Sequence, residues 1–173
     1  TKIKASGADA IVMSALVAEG APIMVQARQL GITLPFIGGN GMNSPRVFEL
    51  AKDNSDNLWV GSPWSVENPV TENKRFIAAY QKAHGTLPDQ FAAQAYDAMY
   101  IAAQALKKIK LTGQLEADRK TLRDALPAAQ WSGATGPFKF RQAVGRDGKP
   151  AGYDAVQTAI VMVTKANQYV IQK

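Results

Sequence analysis

The 173 residues contain no cysteine and a single histidine, His84. Without cysteine there can be no disulfide, no thiolate metal site and no thiol nucleophile. With one imidazole, no second histidine and no clustered carboxylates, neither a metal site nor a histidine-based catalytic pair is expected. His84 precedes Gly85 and reads as a helix-end residue favoured by the helix dipole. Apolar runs fall well short of the ~18 residues of a membrane-crossing helix. The chain opens on Thr1 without a methionine, as expected of a fragment, and it shows no internal repeat or low-complexity segment.

Concentrated charge is missing as well. Lysine and arginine number 20 against 14 acidic residues, a net charge of +6. A nucleic-acid binder gathers such charge on one face. Here it is scattered in small groups, at Lys107-Lys108-Lys110, Arg119-Lys120-Arg123 and Arg141-Arg146-Lys149. The first group closes a helix, where cations are favoured. Solvated surface is the expectation, and nucleic acid is not an expected partner. An apolar content of 46% and a charged content of 20% are ordinary for a globular protein.

The most informative stretch runs from Ala8 to Ser44. A short apolar run at 10–13 is followed by small residues at 14–18, then by a helical pattern from about Glu19 to Leu30. Ile23, Met24, Ala27 and Leu30 make its apolar stripe, Pro22 lies in its first turn, and Gly31 suits the left-handed position after a helix. A second apolar run, 34–37, opens into Gly38-Gly39-Asn40-Gly41. Short apolar strands alternating with an amphipathic helix imply a βαβ unit in a buried parallel sheet. The loops 14–18 and 38–43 then leave the strands' carboxyl ends, where open α/β sheets hold ligands. Gly38-Gly39-Asn40-Gly41 lacks the Lys-Ser/Thr of a phosphate-binding loop and the GxGxxG spacing of a dinucleotide site, so no nucleotide cofactor is expected.

Further along, Ser44-Pro45 reads as a helix start, with Ser44 as N-cap and Pro45 at the first position, for a short helix to about Ala51. Residues 58–61 read as a third buried strand. A helix is expected from Thr71 to His84, and the longest from about Gln90 to Ile109, with a stripe of Ala92, Ala95, Tyr96, Met99 and Ala103. Another spans Asp118 to Leu126, stopped by Pro127. Trp131 to Phe140 reads as a turn into a strand, and Asp147-Gly148 marks a hairpin turn. Residues 155–164 read as one β-prone segment, followed by a turn at 166–168 and a last strand at 169–172.

Taken in order, "GADAIV", "QARQLGITLPFIGGNG", "DNLWVGSPW" and "PDQFAAQAYDAMYIAAQAL" resemble the C-terminal half of a type I periplasmic binding protein. More narrowly, they resemble the branched-chain amino acid (Leu/Ile/Val) solute-binding family of ABC importers, over nearly the whole chain. The resemblance implies an α/β fold: half of a two-lobed protein, with parallel sheets flanked by helices. Residues 1–63 and 160–173 would belong to the C-terminal lobe and 64–159 to the N-terminal lobe, the second part of a protein about twice as long. Thr1 to Gly7 would be the tail of a helix that starts earlier.

The resemblance also implies the site. Leu16 falls where the family often presents a tyrosine, so an apolar contact replaces a hydroxyl. Asn40, followed by Gly41, takes the place of an acidic residue that pairs with a ligand ammonium. An uncharged amide there weakens the case for an ordinary α-amino acid and admits a carboxylate, an amide or an aromatic acid. Trp64, in the Ser62-Pro63-Trp64-Ser65 crossover, would cover the ligand or plug the interlobe joint. Phe91 matches an aromatic that contacts the ligand's side chain. The implied function is the extracytoplasmic solute-binding component of an ABC importer, in the periplasm or anchored to the membrane, binding an amino acid or small carboxylate in an interlobe cleft, without catalysis. Its partners would be the ligand and the permease subunits. A sensing receptor domain of the same fold and a doubly wound enzyme domain are the alternatives. The isolated chain is expected to pair with its missing half or to self-associate through open sheet edges.

Overall fold

Three short strands carry the first part of the molecule: β1 (Ile11–Met13), β2 (Phe36–Gly38) and β3 (Leu58–Ser62). They pair in parallel, with Ile11 opposite Phe36 and Phe36 opposite Leu58. In this computed structural model, residues 2–172 are described. Thr1, the first residue of the expected helix tail, and Lys173, the last of the expected returning segment, lie outside the described residues. The chain divides into two units, Thr1–Glu67 with Ala159–Lys173, and Asn68–Thr158.

In the first unit, the short helix α1 (Lys2–Ala5) precedes β1, and α2 (Val17–Gln29) connects β1 to β2. The helix starts two residues earlier than the sequence pattern suggests, so Pro22 lies in its second turn. There it denies the Ala18 carbonyl its helical partner. The buried stripe is Val17, Gly20, Ala21, Met24 and Ala27, whereas Ile23 and Leu30 are 45% and 52% exposed. The expected stripe was therefore rotated to one side. Small residues face the sheet because the gap there is already filled: a Cβ on Gly20 would stand 2.5 Å from Met42 Sδ. Gly31 takes φ +71°, ending the helix as expected. After β2 comes a 3₁₀ turn, Asn40–Met42, then α3 (Arg46–Ala51), with Pro45 rather than Ser44 at the cap.

Phe36, Met24, Met42, Leu58, Val47 and Val60 form the fully buried centre of this unit. One cation is built into its edge. Arg28 donates to the carbonyls of Ile32 (2.8 Å), Leu34 (2.9 Å) and Asp56 (3.0 Å), with its guanidinium 5.1 Å from the Phe36 ring centre. A planar fork with several donors can satisfy three carbonyls that no helix or strand uses. Burial pulls its pKa below the usual arginine value.

The second unit opens with α4 (Thr71–His84), closed by Gly85 at φ +72°. Then comes α5 (Gln90–Leu106), whose N-cap Asp89 accepts from the Ala92 amide at 2.9 Å. The face that α5 buries is Gln90, Ala93, Asp97, Ile101 and Ala105, while Met99 of the expected stripe is 70% exposed. The expectation failed on Asp97, which the apolar stripe left out. Its carboxylate accepts from Trp131 Nε1 (3.0 Å), Ala134 N (2.9 Å), Thr135 N (2.7 Å) and Thr135 Oγ1 (2.7 Å). A carboxylate supplied with four donors can be buried, and this one turns the helix to face its partners. α6 (Leu115–Ala125) begins three residues before the expected start, and Pro127 sits within a 3₁₀ turn, Leu126–Ala128. β4 (Gln130–Gly133), β5 (Gly136–Val144) and β6 (Pro150–Val156) form an antiparallel meander, with its tight turn at the expected Asp147-Gly148.

The expected single segment at 155–164 is two strands, because the unit boundary falls between Thr158 and Ala159. β7 (Ile160–Lys165) returns to the first sheet antiparallel to β3, and β8 (Gln168–Ile171) pairs with β7 through a turn at Ala166-Asn167. The sheet order is β1-β2-β3-β7-β8. The α/β class with a helix-flanked parallel sheet is borne out in the first unit. To it are added an antiparallel edge hairpin and, in the second unit, an antiparallel sheet.

Candidate functional site

The carboxyl ends of β1 and β2 feed two loops that meet. The first, 14–16, is shorter than expected, because α2 begins at Val17. The second is the Asn40–Met42 turn. Between them lies an open groove of about 830 Å³. Leu16, Ile23 and Ile37 give it apolar walls, and Ser14, Asn40, Gly41 and Glu19 add polar groups.

Local sequence explains how the second loop is set. Met42 is fully buried and occupies the space that side chains at positions 20 and 38 would need: a Cβ on Gly38 would stand 2.9 Å from Met42 Cγ. With Met42 anchored inward, Asn40 is left exposed on the groove side. Gly41 is the point of closest approach, where a Cβ would come within 2.8 Å of Leu16 Cδ2 and 2.9 Å of the Ala15 carbonyl oxygen. Asn43 is buried beneath, donating to Ser62 Oγ (2.7 Å) and to the Trp64 carbonyl (3.0 Å).

Leu16, Asn40 and Gly41 are thus brought together in one groove. Leu16 is 60% exposed and takes extended backbone as the residue before α2. Trp64 is 3% exposed and does not line the groove. Phe91 belongs to the second unit, where it is 48% exposed on the first turn of α5. Two groove residues escaped the sequence reading. Glu19 was noted only as a helix start and Ile23 only as part of a buried stripe. The available signal was position, since both stand within two turns of the loop that follows β1.

The second unit has its own open groove of about 700 Å³ along β4, β5 and β6, lined by Trp131, Phe138 and Lys139 among others. None of the residues singled out from the sequence as ligand contacts lines it. Among the described residues, no group of three or more His, Cys, Asp or Glu is placed to hold a metal, and no helix is long and apolar enough to cross a membrane.

Residues 1–164 match the family described as periplasmic binding protein. The chain is 25% identical over 140 residues to the leucine-, isoleucine-, valine-, threonine- and alanine-binding protein of Pseudomonas aeruginosa, covering 81% of this chain and 36% of that one. Among solved structures, it is similar to the branched-chain amino acid transporter substrate binding protein LivJ of Streptococcus pneumoniae in complex with isoleucine. The TM-score is 0.73 at 27% identity, over 98% of this chain and 47% of that one. An ABC transporter substrate-binding protein of Desulfitobacterium hafniense in complex with Leu gives 0.71 at 26% identity, over 99% of this chain and 45% of that one. The chain thus spans less than half the length of each of these relatives.

Proposed function

Because the chain belongs to the periplasmic binding protein family, we propose that it is part of the extracytoplasmic solute-binding component of an ABC importer. On this reading the groove at the ends of β1 and β2 supplies one wall of the ligand site. The observation that carries the proposal is the meeting of the two loops on Gly41, which leaves an open, largely apolar groove at the carboxyl ends of parallel strands.

The ligand is a small amino acid or carboxylate with an apolar body. Leu16, Ile23 and Ile37 cover the body, and Asn40 offers an amide that donates and accepts. An ammonium group calls for a carboxylate, which Asn40 cannot provide, but Glu19 lines the same groove. An amino acid therefore keeps a counter-charge here, supplied from the first turn of α2. Relatives at 25–27% identity are described as binding leucine, isoleucine and other small amino acids, which supports the same class.

In this proposal Thr1–Glu67 and Ala159–Lys173 belong to one lobe of such a protein and Asn68–Thr158 to the other. Phe91 is a ligand contact from the second unit's own surface, and Trp64 is a packing residue of the crossover. The site makes and breaks no bond. The partners are the ligand, the permease subunits and the remaining length of chain that the relatives possess, with self-association of this chain as the substitute when that length is missing.

Thermal unfolding of the full gene product with L-leucine, L-isoleucine or benzoate tests the reading. At 100 times its dissociation constant a ligand stabilises by roughly 2.7 kcal/mol. Stabilisation by the amino acids that is lost in Glu19→Gln assigns the ammonium to Glu19. Stabilisation by benzoate alone makes Asn40 the mark of an acid without an ammonium. No shift with any of the three overturns the proposal.

A further inference from the structure

Asn40 lines the groove, while the residues that follow it are anchored away from it. Two holds have been described, the buried Met42 side chain and the Asn43 amide on Ser62 and Trp64. A third comes from the far end of the chain. The Tyr169 hydroxyl, on β8, donates to the Met42 carbonyl at 2.5 Å and accepts from the Ser44 amide at 3.2 Å. One phenol thus serves a carbonyl and an amide on either side of Asn43.

The phenol is itself firmly placed. Tyr169 stands opposite Thr164 in the β7–β8 pairing, and Thr164 is buried, with Oγ1 accepting from the Leu58 amide at 2.9 Å. The Tyr169 ring packs on Phe48 of α3, centres 4.9 Å apart and tilted by 58°. Burial also pushes the hydroxyl's pKa far above that of free tyrosine, so it stays a donor at any physiological pH.

We propose that Tyr169 is a positioning residue for the ligand groove, fixing the 40–44 turn and so aiming Asn40 and Gly41. This rests on the reading of the groove as a ligand site. Tyr169 does not line the groove. The closing hairpin β7–β8 is then a working part of the site as well as an extension of the sheet.

Tyr169→Phe in the full gene product keeps the ring against Phe48 and removes only the hydroxyl. Amide hydrogen exchange is read at Met42, Asn43 and Ser44, alongside Ile37 and Val60 of the neighbouring strands, with L-leucine and benzoate as binding probes. Exchange is expected to quicken about ten-fold in the turn and to stay unchanged in the strands, with affinity for the binding probe falling about ten-fold. Unchanged exchange in the turn, or an equal rise in turn and strands, overturns the proposal, because the phenol would then be ordinary packing. Weakened binding without a localised exchange response overturns it too, while leaving the groove as the ligand site. A localised response in a protein that binds neither probe supports the brace and counts against the ligand reading alone.

Discussion

Gly41 lies so close to Ala15 that a Cβ on the glycine would stand 2.9 Å from the alanine's carbonyl oxygen. The obstacle is backbone, which cannot swing aside as a side chain would. The loops after β1 and β2 are therefore in contact through a residue that has to be glycine for steric reasons. Gly39, two residues earlier, has an ordinary extended backbone, and a Cβ there would meet nothing within 4 Å.

Gly41→Ala should then destabilise the protein by about 1–3 kcal/mol, the usual cost of forcing extra atoms into a packed contact. Gly39→Ala should cost far less. Urea unfolding of the two variants provides the comparison. Equal midpoints would show that the loops separate without cost and that the contact does not fix the groove.

Arg28→Lys tests the cation at the edge of the first unit. An ammonium on a flexible stem cannot hold the Ile32, Leu34 and Asp56 carbonyls at once from the position of the guanidinium. At least one part-buried carbonyl loses its donor, for a loss of about 1–3 kcal/mol. A thermal unfolding midpoint within error of the parent would mean that water replaces the fork freely.

Much of this was legible in the sequence because it depends on neighbours along the chain. The apolar runs at 10–13, 34–37 and 58–61 became β1, β2 and β3, and Gly31, Gly85 and Asp147-Gly148 ended helices and turned a hairpin as expected. The Gly38-Gly39-Asn40-Gly41 loop stood out because it leaves the carboxyl end of an apolar run, where open α/β sheets hold ligands. What escaped depends on partners far away in the chain. Asp97 is buried by donors 34 to 38 residues later, and this alone turned α5 away from its expected face. Arg28 lay outside the expected apolar stripe, and all three of its carbonyls belong to loops and turns that the helix pattern does not reveal. Tyr169 reaches the candidate site from more than 120 residues away, and an alternating pattern in a four-residue strand gives no hint of it.

Asp97→Asn should be among the most damaging single-atom changes in the second unit. The amide group keeps one acceptor oxygen and turns an NH₂ toward backbone and side-chain donors that need an acceptor. Bonds to a charged acceptor contribute more than neutral ones, and unsatisfied buried donors add their own cost, so a loss of about 2–4 kcal/mol is expected. Gly133→Ala should reproduce much of it, since a Cβ there would fall on Asp97 Oδ1 and Trp131 Nε1. Trp131 fluorescence should shift in both variants, as its indole loses its partner and its stack on Tyr100 loosens. An unperturbed tryptophan signal would remove Asp97 as the anchor of β4.

Asp118 gives the chain a pH-sensitive turn. Its carboxylate accepts from the Thr112 amide and hydroxyl, both at 2.8 Å, and from the Gly113 amide at 2.9 Å. The Thr112 backbone bond, foremost, then the Thr112 hydroxyl and Gly113 amide hold its pKa below the ordinary carboxylate value. A carboxylate whose folded pKa is depressed stabilises fully above its unfolded pKa, about 3.9, and loses that contribution as pH falls through the lower folded value. The turn at Thr112–Gly113 should therefore stay ordered at neutral pH and loosen in acid, without the rest of the second unit needing to unfold first. Amide proton shifts of Thr112 and Gly113 should titrate together with a midpoint below the ordinary aspartate value, and Asp118→Asn should abolish the titration. A midpoint at the ordinary value would mean that these three bonds do not favour the ionised carboxylate and that the turn is held by the first turn of α6 alone.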